Sequence, residues 1–69
     1  MTHHVFKHIK VTGTSAESIE HAVRSALEKA AKSVRNMRWF QLVETRGAIS
    51  GGDVAEWQVT VEIGFALDD

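Results

Sequence analysis

The stretch RWFQLVETRGAI, residues 38–49, has the composition of a β-strand but carries apolar side chains on both of its faces. Strict alternation places two large apolar residues, Phe40 and Leu42, on one face. The other face then carries Trp39, Gln41, Val43, Thr45 and Ile49. A single helix can cover only one of these faces. We therefore expect a second subunit or a ligand to cover the other, because contiguous apolar surface normally marks an interaction site.

The segment that follows predicts an antiparallel partner for this strand. Its loop, SGGD at 50–53, contains two glycines that can adopt the positive φ angles of a tight hairpin. Residues 54–67 then alternate between an apolar set and a mostly polar set. The apolar set, which we expect to face a helix, is Trp57, Val59, Val61, Ile63, Phe65 and Leu67. The sequence thus predicts two paired strands, at about 38–49 and 54–67.

A single amphipathic helix is predicted upstream of these strands, over about residues 15–34. Its apolar residues recur at three- and four-residue intervals and are Ile19, Ala22, Val23, Ala26, Leu27, Ala30, Ala31 and Val34. Thr14 and Glu17 have the spacing of a capping box, which favours a helix start at this point. Before the helix, residues 5–12 favour a strand that Gly13 ends.

The order of these elements predicts an α+β fold with β-α-β-β topology, in which a three-stranded antiparallel sheet wraps around one long helix. We expect one domain, residues 1–69. A chain of this size buries only about 60% of its unfolded surface, so a lone subunit is marginally stable. Because the sequence contains no cysteine, disulfides cannot compensate. Oligomerisation is the usual alternative, and a homo-oligomer is expected.

Composition also argues against several partners. The net charge is −1 and acidic and basic residues are interspersed, which does not suit a nucleic-acid partner. No apolar run approaches the roughly 20 residues of a membrane span, so no membrane partner is expected. A chain without cysteine needs no oxidising compartment, and a cytoplasmic location is predicted.

Neither a metal site nor an enzyme active site is predicted. His3, His4 and His8 have no acidic residue or cysteine beside them at ligand spacing. The chain also lacks a cysteine nucleophile, a glycine-rich phosphate loop and a histidine–carboxylate pair at catalytic spacing. The residues therefore favour binding or assembly over catalysis.

Three segments together resemble the dodecin family. They are VTGTSAES at 11–18, MRWFQLVETRGAI at 37–49 and WQVTVEIGFALDD at 57–69. The resemblance extends over essentially the whole chain, from about Val5 to Asp69. It implies a β-α-β-β subunit and a hollow, spherical homododecamer. It also implies a flavin-binding protein that stores, scavenges or light-protects flavins rather than turning over a substrate.

The same resemblance implies roles for three residues. Trp39 occupies the position of the tryptophan that stacks on flavin, with flavins held in pairs between symmetry-related tryptophans. Gln58 occupies the position of the glutamine that hydrogen-bonds the edge of the isoalloxazine ring. Arg46 lies at a strand position that is close to the flavin in the family. The cofactor is expected to be FMN or riboflavin, which share this ring system.

Some of these roles have alternatives. Arg46 either contacts the flavin ring or its phosphate, or forms an ion pair with Glu44, Glu62 or a neighbouring subunit. Trp39 either stacks on flavin or serves only as a subunit contact in a ligand-free assembly module. Ala66 stands where many bacterial dodecins carry a basic residue associated with phosphate-bearing ligands such as coenzyme A. The alanine therefore argues against coenzyme A binding.

Overall fold

The protein, described by a computed structural model over residues 4–67, is a three-stranded antiparallel sheet with one helix packed on one side. Its elements are β1 (Phe6–Ser15), α1 (Ile19–Ala30), β2 (Met37–Ser50) and β3 (Asp53–Ala66). β3 is the central strand, and β1 and β2 pair with it on either side. The predicted β-α-β-β topology is confirmed. The hairpin between β2 and β3 turns through Gly51 and Gly52, at φ angles of 61° and 77°.

The start of α1 differs from the predicted capping box. Thr14 belongs to β1, where it pairs with Gln58, so the strand continues past the predicted end. The N-cap is Ser18, whose hydroxyl accepts a hydrogen bond from the His21 amide at 3.0 Å. The Ser15 hydroxyl accepts two further amides of this turn. The capping-box prediction was wrong because pairing with β3 keeps β1 extended through Ser15. The hydroxyls of Ser15 and Ser18, not that of Thr14, then accept the first free amides before and at the start of the helix.

The end of α1 also comes earlier than predicted. The helix ends at Ala30 with Ala31 as its C-cap, and Val34 is placed by a turn in which its amide donates to the Ala30 carbonyl at 2.8 Å. Asn36 then adopts a positive φ of 64°, a conformation that asparagine tolerates better than most residues. The apolar periodicity therefore continues beyond the helix itself.

We expect Ser18→Ala to lower the free energy of unfolding by about 1 kcal/mol, because it leaves the His21 amide without its capping oxygen. Urea unfolding at a fixed subunit concentration measures this loss. Ser25→Ala, within α1, is the matched control and should change stability by only a few tenths of a kcal/mol. Equal losses at both positions would contradict the N-cap assignment.

The core lies between α1 and the two strands β1 and β3. Its buried residues are Ala22, Val23, Ala26, Ala30, Val59, Val61 and Ile63. Small side chains on the helix allow a close approach to β1 at Gly13. A Cβ built on Gly13 would overlap the Ala22 carbonyl oxygen and lie 2.9 Å from the Ala26 Cβ. Gly13 is therefore a contact point inside the strand rather than its end.

The helix is too short to cover the sheet. Its 12 residues extend about 18 Å, whereas the 14 residues of β2 extend about 47 Å. Phe40 and Leu42 pair with core residues of β3, yet they are 47% and 48% exposed. Ile49, near the hairpin loop, is 80% exposed. Both faces of β2 thus present apolar side chains that α1 does not cover.

The solvent side of α1 is polar. Arg24 donates to the Glu20 carboxylate at 2.7 Å, four residues earlier on the helix. This hydrogen bond, reinforced by the charge of the guanidinium, lowers the pKa of Glu20 from its ordinary value. The bond between Arg24 and Glu20 is therefore fully formed at pH values above the ordinary carboxyl pKa. It is lost as the pH falls through the lowered pKa of Glu20. Within residues 4–67, no helix is long and apolar enough to cross a membrane.

Candidate functional site

The candidate site lies on the sheet face opposite α1, which we call the outer face. On β3 the helix side carries Val59, Val61 and Ile63, so the alternate residues point to the outer face. The register extends this face to the neighbouring strands. It carries Phe6, His8, Lys10 and Thr12 from β1, Trp39, Gln41, Glu44 and Arg46 from β2, and Glu56, Gln58, Thr60, Glu62 and Gly64 from β3.

A register shift in β2, between Leu42 and Glu44, decides which residues reach this face. Regular alternation from Trp39 would turn Arg46 towards the helix side. The shift instead pairs Arg46 with Gln58 on the outer face. The predicted faces are therefore right at Trp39 and wrong beyond the bulge, because one extra residue inverts the phase of the strand.

Trp39 lies over the central strand at Gly64. A Cβ built on Gly64 would overlap the six-membered ring of the indole, so only glycine leaves room for it. Phe6 meets the indole at a centroid distance of 5.0 Å and 65°, and His8 meets it at 5.5 Å and 84°. Both are edge-to-face contacts, a favourable arrangement for aromatic rings. Trp39 is 41% exposed, so the indole is held in place and still has surface available to a ligand.

Gln58 belongs to a hydrogen-bonded chain on the same face. Arg46 Nε donates to Gln58 Oε1 at 2.9 Å, and Gln58 Nε2 donates to Glu56 Oε2 at 3.0 Å. These partners define the orientation of the amide, because Arg46 can only donate and an ionised Glu56 can only accept. Gln58 retains one N–H and one oxygen lone pair for a ligand. Arg46 thus pairs with Gln58 rather than with Glu44 or Glu62 inside the subunit.

One subunit does not bring the three predicted residues together. Trp39 pairs with Gly64 and Arg46 pairs with Gln58. The two positions are six residues apart along β3, roughly 20 Å of strand. The indole also makes its contacts towards β1, away from the amide. The Gln58 amide of the same subunit is therefore remote from the Trp39 indole.

Two cavities of a single subunit lie mostly on the helix side of the sheet, towards α1. The one that Trp39 lines has a volume of about 160 Å³ and also touches Leu27, Met37, Arg38, Phe40 and Ile63. Pockets for small-molecule ligands usually enclose about 300–1,000 Å³. A larger groove of about 410 Å³ lies between β1 and α1, away from Trp39. Neither of these cavities encloses the outer face, so the exposed part of the indole lies there on an open surface.

Two other residues singled out by the sequence are also located. Trp57 is half-buried and pairs with Ser15 and Gly47 on the helix side, as its alternation predicts. Ala66 pairs with Phe6, so it lies beside the aromatic group around Trp39.

The histidines of the described chain do not form a metal centre. Within residues 4–67, no group of three or more His, Cys, Asp or Glu side chains could hold a metal ion. His4 lies against Phe6, with ring centroids 6.3 Å apart, and His8 lies against Trp39. His3 is outside the described residues.

Sequence reasoning missed four neighbours of the site: Phe6, His8, Gly64 and Glu56. Alternation does place Phe6 and His8 together on one face of β1. It does not indicate that this face adjoins Trp39, because β1 and β2 are separated by β3 in the sheet. The sequence signal for this contact was Gly64 in the central strand β3. Because this glycine has no side chain, the Trp39 indole of β2 can lie across β3 and reach β1.

The fold and the site define a small β-α-β-β protein with an exposed sheet face that presents an aromatic group and an oriented amide. The chain belongs to the dodecin family, whose family model matches residues 5–68. It is 42% identical over 65 residues to a dodecin of Thermus thermophilus, a match that covers 94% of each chain.

Solved structures of the same family have nearly the same fold. Dodecin from Streptomyces davaonensis matches with a TM-score of 0.95 at 37% identity, over 99% of this chain and 100% of that one. Dodecin from Streptomyces coelicolor matches with a TM-score of 0.94 at 38% identity, over 100% of this chain and 99% of that one.

Proposed function

We propose that this protein binds flavins for storage and photoprotection, holding stacked flavin pairs between Trp39 side chains of neighbouring subunits. The observation that carries the proposal is the Trp39 indole, which Phe6 and His8 hold over Gly64 while part of its surface stays open. An isoalloxazine ring is flat, polarisable and poorly soluble. Stacking it on a fixed indole removes apolar surface from water and requires little reordering of the protein.

The Gln58 amide, held by its hydrogen bonds to Arg46 and Glu56, supplies the polar part of the proposed site. The pyrimidine edge of the flavin presents carbonyl acceptors on either side of an N–H donor. One amide with a free N–H and a free lone pair complements a donor–acceptor pair on that edge. We propose that Arg46 orients the Gln58 amide for the flavin by donating a hydrogen bond to its oxygen.

The proposed site requires an oligomer, and a dodecamer is the assembly we propose from family membership. Two features support an oligomer: the roughly 20 Å of strand between Trp39 and Gln58, and the uncovered side chains of Phe40, Leu42 and Ile49. Other copies of the chain would cover this apolar surface and bring an amide to each stacked ring.

The proposed chemistry is binding, not catalysis. An indole in contact with a photoexcited flavin can donate an electron to it, which quenches emission and suppresses photochemistry. Two flavins stacked between two indoles would also leave no open ring face for a substrate. We propose that the protein binds flavins in the cytoplasm, because a chain without cysteine forms no disulfides and needs no oxidising compartment.

Riboflavin or FMN is the proposed ligand, and coenzyme A is not. Ala66, beside Phe6, offers no charge to a phosphate. Ring stacking at Trp39 and edge recognition by Gln58 involve only the isoalloxazine system, which both flavins share.

A fluorescence titration of riboflavin with the ligand-stripped protein tests the proposal. We expect quenching with an endpoint near one flavin per subunit. Gln58→Leu should weaken binding about two- to tenfold, because a net hydrogen bond contributes about 0.5–1.5 kcal/mol. Gln41→Leu, the same change on the same face, is the matched control and should bind normally. Emission that stays constant at all protein concentrations would contradict flavin binding.

A further inference from the structure

His8 lies between the proposed stacking residue and a carboxylate. Its imidazole meets the Trp39 indole nearly at right angles, with ring centroids 5.5 Å apart. Its Nδ1 is 3.8 Å from Glu62 Oε1. The side chain is 49% exposed in a single subunit. Neither ring stacking on Trp39 nor edge recognition by Gln58 requires this arrangement.

We propose that His8 is a positioning residue for Trp39 and that its proton uptake makes flavin binding pH-dependent. The flavin part rests on the proposed function at Trp39. Histidine side chains change charge between about pH 8 and pH 5. A protonated imidazole gains an ion pair with Glu62, whose carboxylate lies 3.8 Å from Nδ1. The ion pair fixes the imidazole in its place beside the indole, so the indole is held more firmly as the pH falls.

The charged surroundings of His8 set the size of this effect. Glu62 faces it from β3, and Lys10 follows two residues later on β1 in register with Glu62. β2 contributes the uncharged Trp39 and Gln41, and α1 lies on the opposite face of the sheet. Lys10 carries the same charge as a protonated imidazole, and Glu62 carries the opposite charge. Because the group is half exposed, we expect a change of up to about fivefold rather than a complete switch.

The pH profile of riboflavin binding tests the proposal. Riboflavin is used because the phosphate of FMN itself titrates near pH 6. We expect the dissociation constant to fall about two- to fivefold between pH 8 and pH 5.5. His8→Gln should remove this dependence. His21→Gln is the matched control and should preserve it, because His21 bonds Ser15 at the helix start, away from Trp39.

A second measurement needs no flavin. Trp57→Phe leaves Trp39 as the only tryptophan, since the sequence contains two. A protonated imidazole in contact with an indole quenches its emission. The emission of this variant should therefore fall between pH 8 and pH 5.5, and adding His8→Gln should abolish the change.

The outcomes separate this proposal from the proposed function. Tryptophan emission that is insensitive to pH, or equally sensitive without His8, overturns the positioning role. Riboflavin binding with a flat pH profile overturns the pH dependence and leaves the flavin function standing. If riboflavin does not bind at any pH while the emission still responds through His8, the flavin function fails and the contact between His8 and Trp39 stands.

Discussion

Trp39→Ala is expected to lower flavin affinity about 5- to 150-fold while the oligomer remains assembled. The range corresponds to about 1–3 kcal/mol, the contribution of stacking one nucleic-acid base on an aromatic side chain. Trp39 lies on the outer face and is not one of the buried core residues, so its loss leaves the packing of α1 intact. Flavin titration combined with size-exclusion chromatography measures both properties.

The same variant distinguishes flavin binding from a ligand-free assembly module. If Trp39 serves only as a subunit contact, Trp39→Ala should break the oligomer, and the native protein should not quench flavin. Trp57→Phe is the matched control, because it changes the other tryptophan on the helix side. Gly64→Ala adds an independent variant that retains the indole but places a methyl group where the ring lies. It should also weaken flavin binding.

Gly13→Ala is expected to cause the largest loss of stability, about 3 kcal/mol or more, at the upper end of the usual overpacking cost. The added methyl group overlaps the Ala22 carbonyl, which is backbone and cannot rotate away. Relief requires the helix to move off β1, which opens the core around Ala26. Urea unfolding at equal subunit concentrations measures the loss, because oligomerisation makes apparent stability concentration-dependent.

Gly52→Ala is the matched control for this glycine substitution. Its φ of 77° penalises alanine by about 1–2 kcal/mol, but no atom lies within 4 Å of the added Cβ. Gly13→Ala should therefore be clearly more destabilising than Gly52→Ala. Similar losses would indicate that the helix can shift freely at Gly13, against the close contact described.

The sequence by itself determined the elements, their order along the chain and the antiparallel sheet, but not the central place of β3 in that sheet. Helical periodicity, the alternation of the last strand and the double glycine are local patterns, and each reflects the geometry of one segment. The same patterns also indicated Trp39 as a candidate binding residue, because one helix can cover only one of the two apolar faces of its strand. The resemblance to dodecins then supplied Gln58 and Arg46, whose flavin-binding roles remain predictions.

Tertiary structure alone decided the ends of α1 and the make-up of the outer face. The helix start depends on how far β1 pairs with β3, so Ser18 rather than Thr14 became the N-cap. The face of Arg46 depends on a bulge in β2, which arises from pairing between strands and has no signature in the strand itself. His8 reaches Trp39 only because Gly64 lets the indole cross the central strand. In each case the cause is a contact between residues distant in sequence, which periodicity within one segment cannot express.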